Sequence, residues 1–370
     1  MHRMLAILER ELRRFRRSPA LMVMSLIFPF GQLIVLGYAF GGQVRNLKLA
    51  IVDQDQRLPA IKLRELTNAV AANAKTFEAI EYADAGKALN DLRNGVVNGV
   101  LTIPPGFSER VLDRKDPQIA LIEDNTDNFN AAAMSASING LVAAYNEPEV
   151  KARLEAKPRL EIVEVYPYVP YVQYLLPGST VMALFMMVMI GGGIIFIDDK
   201  ARGLHEGYLV TPITKLELIT GFNLSGTVKA IMAGLVVVLL GSLISGIPNP
   251  FEPMRLLRVF VVIVISSLAL VSMMFLLMVR VTDPLTPRAM FGILNTLLFF
   301  PSGAVYPQQA FPGWMQVIAK IDPFTYIVHA LKNLLLKNTG FEAITFDLLY
   351  LTVFTIVTWT AATLLFKRTL

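Results

Sequence analysis

The sequence contains no cysteine. Disulfides and thiolate chemistry are excluded, so any domain outside a membrane must hold itself together through its own core. Histidine is almost as scarce: His2, His205 and His329 lie far apart, with no zinc-type His-Glu-x-x-His spacing. No Gly-x-Ser-x-Gly elbow occurs. The sole Gly-Lys pair, Gly86-Lys87, is followed by Ala88 and lacks the preceding glycine of a phosphate loop. The chain therefore does not bind ATP by that device. Charge is also sparse, at 17% of 370 residues against about 25% in soluble domains. These absences leave little room for an enzyme.

What is abundant is apolar sequence, 54% of residues with a mean hydropathy of +0.52. It is concentrated in long runs: Pro19 to Phe40, then near 172–197, 228–247, 256–279, 289–306 and 346–366. A helix crosses a hydrocarbon core of about 30 Å with roughly 20 apolar residues, and only helices satisfy their backbone groups within one segment. The expected fold is an α-helical integral membrane protein of six transmembrane helices, with an α/β domain inserted after the first. A signal-peptide reading of Gly37-Tyr38-Ala39 is disfavoured, because a run of about 21 residues exceeds the 7–15 of a signal core.

The net charge of +5 hides an asymmetry. Between Gly41 and Pro170, 15 Lys/Arg face 18 Asp/Glu, while the remainder holds 19 basic and 11 acidic residues. The basic character belongs to the membrane part, which removes the case for nucleic acid as a partner. Arg3, Arg10, Arg13, Arg14, Arg16, Arg17, Lys200, Arg202, Lys215, Arg280, Arg288, Lys367 and Arg368 fall in short loops on one side. Arg255, Arg258, Lys320, Lys332 and Lys337 fall on the other. Thirteen against five predicts both termini in the cytoplasm and the acid-leaning domain outside.

Residues 1–18 predict an interfacial helix, with Leu5, Leu8, Leu12 and Phe15 on the apolar face and six arginines opposite. A plain positive-inside anchor accounts for those arginines equally well. Ser18-Pro19 caps the first span, residues 19–40. The outside domain, 41–170, opens with the strand-like run Leu47 to Asp53. Helical patterns follow at 58–72, 84–94 and 127–154, with strands at Val96–Ile103, Ile119–Glu123 and Leu160–Tyr166. Tyr166, Tyr168, Tyr171 and Tyr174 suit an aromatic belt at re-entry into the membrane, or alternatively a ligand-binding cluster. Lys229, the main ionisable candidate inside a span, is expected to snorkel from the cytoplasmic edge of span 3.

The loop between spans 2 and 3 carries the informative pattern: Asp198-Asp199-Lys200, Arg202-Gly203, Glu206, Leu209 and Thr211-Pro212. It resembles the cytoplasmic loop of type-2 ABC transporter permeases. Leu204 departs from that family's usual Thr, and Gly207 interrupts a helix-favouring stretch. A second stretch, Ser302-Gly303 with Pro307, then Pro312-Gly313-Trp314 and Asp322-Pro323-Phe324-Thr325-Tyr326, is similar to the family's outer re-entrant segment. The whole layout most resembles the drug-exporter-like branch with a large extracytoplasmic domain.

The resemblance implies a permease subunit of a bacterial inner-membrane exporter, residues 171–370 forming helices 2–6 with a coupling loop at 198–217 and a re-entrant segment at 302–345. Arg202, Gly203, Glu206, Leu209, Thr211 and Pro212 would contact the ATPase, with Thr211-Pro212 starting the next helix. Glu206 is otherwise a solvated carboxylate. Partners implied are ABC ATPase subunits carrying ATP and Mg, a second permease chain and a periplasmic adaptor, with no cofactor bound by this chain. Asn295 and Thr296, polar at membrane depth, and Met186 and Met187 are candidates for the translocation path. Lipid-facing packing is the plainer role for the methionines. Gly191-Gly192-Gly193 suits close helix packing or a hinge. The competing class is a non-transporting scaffold or receptor whose outer domain binds a partner.

Overall fold

The computed structural model describes residues 2–40, 46–124, 127–146, 168–194, 197, 199, 203, 211, 213–281, 283 and 285–366. By its internal contacts the chain divides into a unit of Met1–Gly41 with Val163–Leu370, and a unit of Gly42–Ile162. Two helices come first: α1 (His2–Arg16) and α2 (Pro19–Phe40), the latter starting at the proline expected there and carrying Pro29 inside.

In the second unit, β1 (Leu47–Asp53), α3 (Leu58–Ala74), β2 (Phe77–Glu81), α4 (Ala85–Arg93), β3 (Gly99–Ile103), α5 (Phe107–Asp113), β4 (Ala120–Glu123) and α6 (Asn128–Asn146) follow in order. The sheet order is β2-β1-β3-β4. β1 runs parallel to both neighbours, with Leu47 opposite Phe77 and Leu49 opposite Gly99, whereas β3 and β4 are antiparallel. Side chains alternate across a strand. Leu47, Leu49 and Leu101 thus pack with Met134 and Ile138, and Ala50, Val52 and Val100 pack on the other face with Ala88 and Leu92. Burial on both faces explains the nearly continuous apolar reading of β1.

Two elements were not legible. β2 begins two residues after Lys75 closes α3 in the left-handed conformation, and α5 is seven residues long behind the Pro104-Pro105-Gly106 turn. Both are too short for a periodic signal. The strand expected at Leu160–Tyr166 and the end of the helix expected to 154 lie outside the described residues.

The first unit resumes with α7 (Tyr171–Val188), continued by a wider π turn over Met189–Ile194. Then come α8 (Lys215–Ser245), α9 (Pro253–Met278), α10 (Leu285–Leu294) with a π turn over Asn295–Phe299, α11 (Gly313–Ile321), α12 (Pro323–Leu336) and α13 (Thr345–Leu365). α7 is the hub: it packs on α2, α8 and α12, and fourteen of its residues are buried. A side chain at Gly178 would meet the backbone of Ala304, so that contact needs glycine.

Among the described residues five helices are long and apolar enough to cross a membrane: α2, α7 with its π turn, α8, α9 and α13 with the short turn before it. The run at 289–306 forms the shorter helical stretch 285–299. The third run corrects a boundary. α8 starts at Lys215, because Thr214 and Glu217 form a reciprocal capping box; Thr211-Pro212 does not begin it.

Candidate functional site

Of the loop residues expected to meet an ATPase, Gly203 and Thr211 are described, and Arg202, Glu206, Leu209 and Pro212 lie outside the described residues. Gly203 has φ of 73°, a left-handed conformation that glycine adopts without strain. At the start of this loop, two arginines of α1 meet Asp199. Arg14 of α1 donates to both oxygens of Asp199, at 2.7 and 2.8 Å, and Arg10 lies 3.5 Å from the same carboxylate. Asp199 is 2% exposed.

One turn deeper, Lys229 of α8 pairs with Glu11 of α1 at 3.1 Å, both side chains 1% exposed. The same ammonium donates to the carbonyl of Gly191 at 2.8 Å, in the π turn that ends α7. The Phe15 ring lies 5.7 Å from Nζ and closes the site on a third side. Lys229 therefore does not snorkel to water: its charge is compensated inside the bundle by a carboxylate brought from α1. Gly191 leaves room for this, since a Cβ there would meet the Lys229 stem at 3.2 Å.

The same geometry revises the reading of α1. Its buried positions are Ile7, Glu11 and Phe15, spaced by four, and Ile7 fits against Gly221 of α8. Leu5, Leu8 and Leu12 are left on a partly exposed face. The helix is thus clasped to the bundle by an edge of which the apolar pattern marked Phe15 alone. The overlooked signal was a glutamate between two apolar residues at helical spacing, among arginines.

At the other end of α7, Tyr171 donates to the Val305 carbonyl at 3.0 Å and Tyr174 to that of Gly303 at 3.3 Å. Their rings stack with centroids 5.9 Å apart. These two tyrosines fasten the turn after α10, while Tyr168 is exposed and Tyr166 lies outside the described residues. Gly303, at φ of 81°, forms that turn.

Beside the turn, Gly292, Thr296, Leu297 and Phe300 face Trp314 and Ile318 of α11 across an apolar groove of 700 Å³. The Thr296 hydroxyl is satisfied by the Gly292 carbonyl, whereas the Asn295 side-chain oxygen is buried with no hydrogen-bond partner among the described residues. Met187 is buried in the helix core and Met186 half-buried, and neither lines this groove. Among the described residues no cluster of His, Asp or Glu is arranged to hold a metal ion.

Comparison with known proteins gives these features a family. The family described as ABC-2 family transporter protein matches residues 19–364. The probable multidrug ABC transporter permease YbhR of Escherichia coli strain K12 is 23% identical over 378 residues, covering 99% of each chain. The inner membrane transport permease YhhJ of the same strain is 25% identical over 349 residues, 89% of this chain and 87% of that one. The daunorubicin resistance ABC transporter permease protein DrrB1 of Streptomyces coeruleorubidus is 25% identical over 171 residues, 46% of this chain and 60% of that one. The chain is thus a multi-pass membrane protein that belongs to the ABC-2 transporter family, as the permease subunit of an ABC exporter whose ATP hydrolysis resides on a separate subunit.

Proposed function

We propose that this permease exports a hydrophobic or amphipathic compound from the cytoplasm or inner leaflet of a bacterial inner membrane. The names of the relatives speak of multidrug transport and daunorubicin resistance, and the carrying observation in this chain is the apolar groove beside Thr296. Such a lining suits apolar cargo. The orphaned oxygen of Asn295 next to it supports a polar partner there, from cargo or from a second permease chain. In this reading Asn295 and Thr296 belong to the path at the groove, and Met186 and Met187, which do not line the groove, to a part of the path away from it.

In the same proposal the chain crosses the membrane six times, the stretch 285–299 contributing to the fifth crossing. Both termini are cytoplasmic, residues 41–170 form an extracytoplasmic domain, and 302–345 re-enter from outside. The distribution of Lys and Arg supports that orientation. Two permease chains work with two ATPase subunits, which hold ATP and Mg; this chain binds no cofactor, and a periplasmic adaptor is a further partner. The loop 198–217 meets the ATPase through Arg202, Gly203, Glu206, Leu209, Thr211 and Pro212.

The test is reconstitution in liposomes with the co-encoded ATPase, reading ATP hydrolysis stimulated by candidate amphiphilic drugs. Glu206→Ala and Pro212→Ala should each lower stimulated turnover severalfold while leaving the protein in the membrane. Full activity in both variants would remove the coupling role from this loop.

A further inference from the structure

A second cavity, of 460 Å³, opens between the N-terminal end of α7, the Gly303 turn and α12. Its wall is apolar where Tyr174, Pro307, Val328 and Phe346 contribute, and polar where Gln308, Gln309, Thr325 and Lys332 do. Gln308 is tied down, donating to the Ser302 carbonyl at 2.9 Å and to the Thr325 hydroxyl at 3.3 Å. The wall is therefore preformed.

Lys332 is the unusual member. Its ammonium donates to the Gly303 carbonyl at 2.6 Å and lies 3.5 Å from the centroid of the Tyr174 ring. A carbonyl and a ring face orient an ammonium, but neither carries a unit negative charge. Among the described residues no carboxylate stands at ion-pair distance from it. The one carboxylate in the wall, Asp347, is engaged by His329, with Nδ1 2.7 Å from Oδ2. The remaining ionisable group there, Tyr326, is neutral in its ordinary form and stacks on Tyr350. A half-buried ammonium with three donors thus meets a cavity while, among the described residues, one carbonyl is its only hydrogen-bond acceptor.

We infer that this cavity binds the anionic head of an amphiphile, with Lys332 receiving the phosphate or carboxylate oxygens and the apolar wall receiving the first part of the chain. Burial without a countercharge pulls the pKa of the Lys332 ammonium down to about 7, so its charged form gains most from an anion that brings its own acceptors, and a charge-assisted bond is about twice as strong as a neutral one. Gln309, exposed on the rim, stands where the head would enter. The site is separate from the groove beside Thr296, with which it shares no lining residue.

The absence of cysteine makes a local test clean. Gln309→Cys is labelled with bimane in the full chain, held in dodecyl maltoside micelles, and titrated with phosphatidylglycerol, phosphatidylcholine or inorganic phosphate. Phosphatidylglycerol should shift the fluorescence at least about tenfold more tightly than phosphatidylcholine, the equivalent of one charge-assisted contact. Lys332→Gln should abolish that preference and Lys332→Arg should keep it. Equal responses to the two lipids, or an unchanged preference in Lys332→Gln, would overturn the site. Inorganic phosphate acting as tightly as phosphatidylglycerol would overturn its assignment to amphiphiles. A misfolded Lys332→Gln would be recognised by its elution profile, and Tyr174→Leu then serves in its place: it removes the ring that orients the ammonium and should weaken the preference.

Discussion

The two units of the chain treat ionisable side chains in opposite ways. In the helical unit Glu11, Asp199, Lys229, Arg255, Asp322 and Asp347 are buried, and in the α/β unit no described ionisable side chain is. The α/β unit, richer in charge, spends its carboxylates at the rim as caps: Asp84 accepts from the Gly86 amide at 2.9 Å, and Asp55 from those of Gly106 and Ser108. The helical unit, poorer in charge, places several of its few ions where elements meet. A rim carboxylate exchanges water for an amide at little cost, whereas a buried ion must find its countercharge within the fold. That requirement makes a buried pair a poor source of net stability but a strict specifier of which helix sits where.

The largest effect should follow from breaking the Glu11–Lys229 pair. Glu11→Gln leaves the ammonium with neutral acceptors only, the Gly191 carbonyl and the new amide oxygen, and Lys229→Met leaves the carboxylate with Arg10 at 3.4 Å. Either single change should destabilise the purified chain by about 3–5 kcal/mol, read as a fall in its apparent melting temperature. Glu11→Leu combined with Lys229→Met should recover most of that loss, because no buried charge is then left alone. Single variants that melt like the parent would mean that the bundle tolerates a lone ion, and the contrast between the units would collapse.

Much of this contrast was legible in the sequence, and the gaps have physical reasons. Long apolar runs revealed the helices, because crossing lipid demands length and leaves little ambiguity. The strand-like run from Leu47 to Asp53 revealed the first strand of the sheet. Burial of Lys229 was not legible, since a lysine near a span end reads as one that reaches water, and its partner lies 218 residues away. The start of α8 was misplaced because Thr211-Pro212 and Thr214-x-x-Glu217 are both helix-start signals, and it is the second whose capping box opens the helix at Lys215. The roles of Tyr171 and Tyr174 depended on carbonyls more than a hundred residues further on. Local pattern finds elements; it does not find which charge or carbonyl another element will supply.

An intermediate effect sharpens the comparison. Arg14 is 37% exposed and Arg10 also reaches Asp199, so Arg14→Gln should cost less, about 1 kcal/mol. Exposure on one side also makes this contact sensitive to salt, whereas the Glu11–Lys229 pair is shielded from it. Melting curves at low and at 1 M salt, where the screening length is about 3 Å, should bring Arg14→Gln closer to the parent. The deficit of Glu11→Gln should stay unchanged. If both deficits shrink together, water reaches Lys229 and the pair is not buried as described.

The smallest effect belongs to the α/β unit and is best seen as a pH dependence. The Ser108 hydroxyl, then the Ser108 and Gly106 amides and Arg57, hold the Asp55 carboxyl below its ordinary value of 3.8 against a weaker opposing effect of burial. A carboxyl whose folded value is depressed contributes stability that is complete above the ordinary value and disappears as pH falls through the folded one. The contribution is local, since Asp55 ties the loop after β1 to the start of α5. Hydrogen exchange on the intact chain, corrected for intrinsic rates, should therefore show protection around Gly106 and Ser108 that is flat near neutrality and declines only below about 3.8. Asp55→Asn keeps an acceptor oxygen but has no proton to take up, so its protection near neutrality should be slightly lower and should lack the acid step. Identical acid profiles in parent and variant would show that the carboxylate caps nothing, and that the rim of this unit is ordered by its backbone alone.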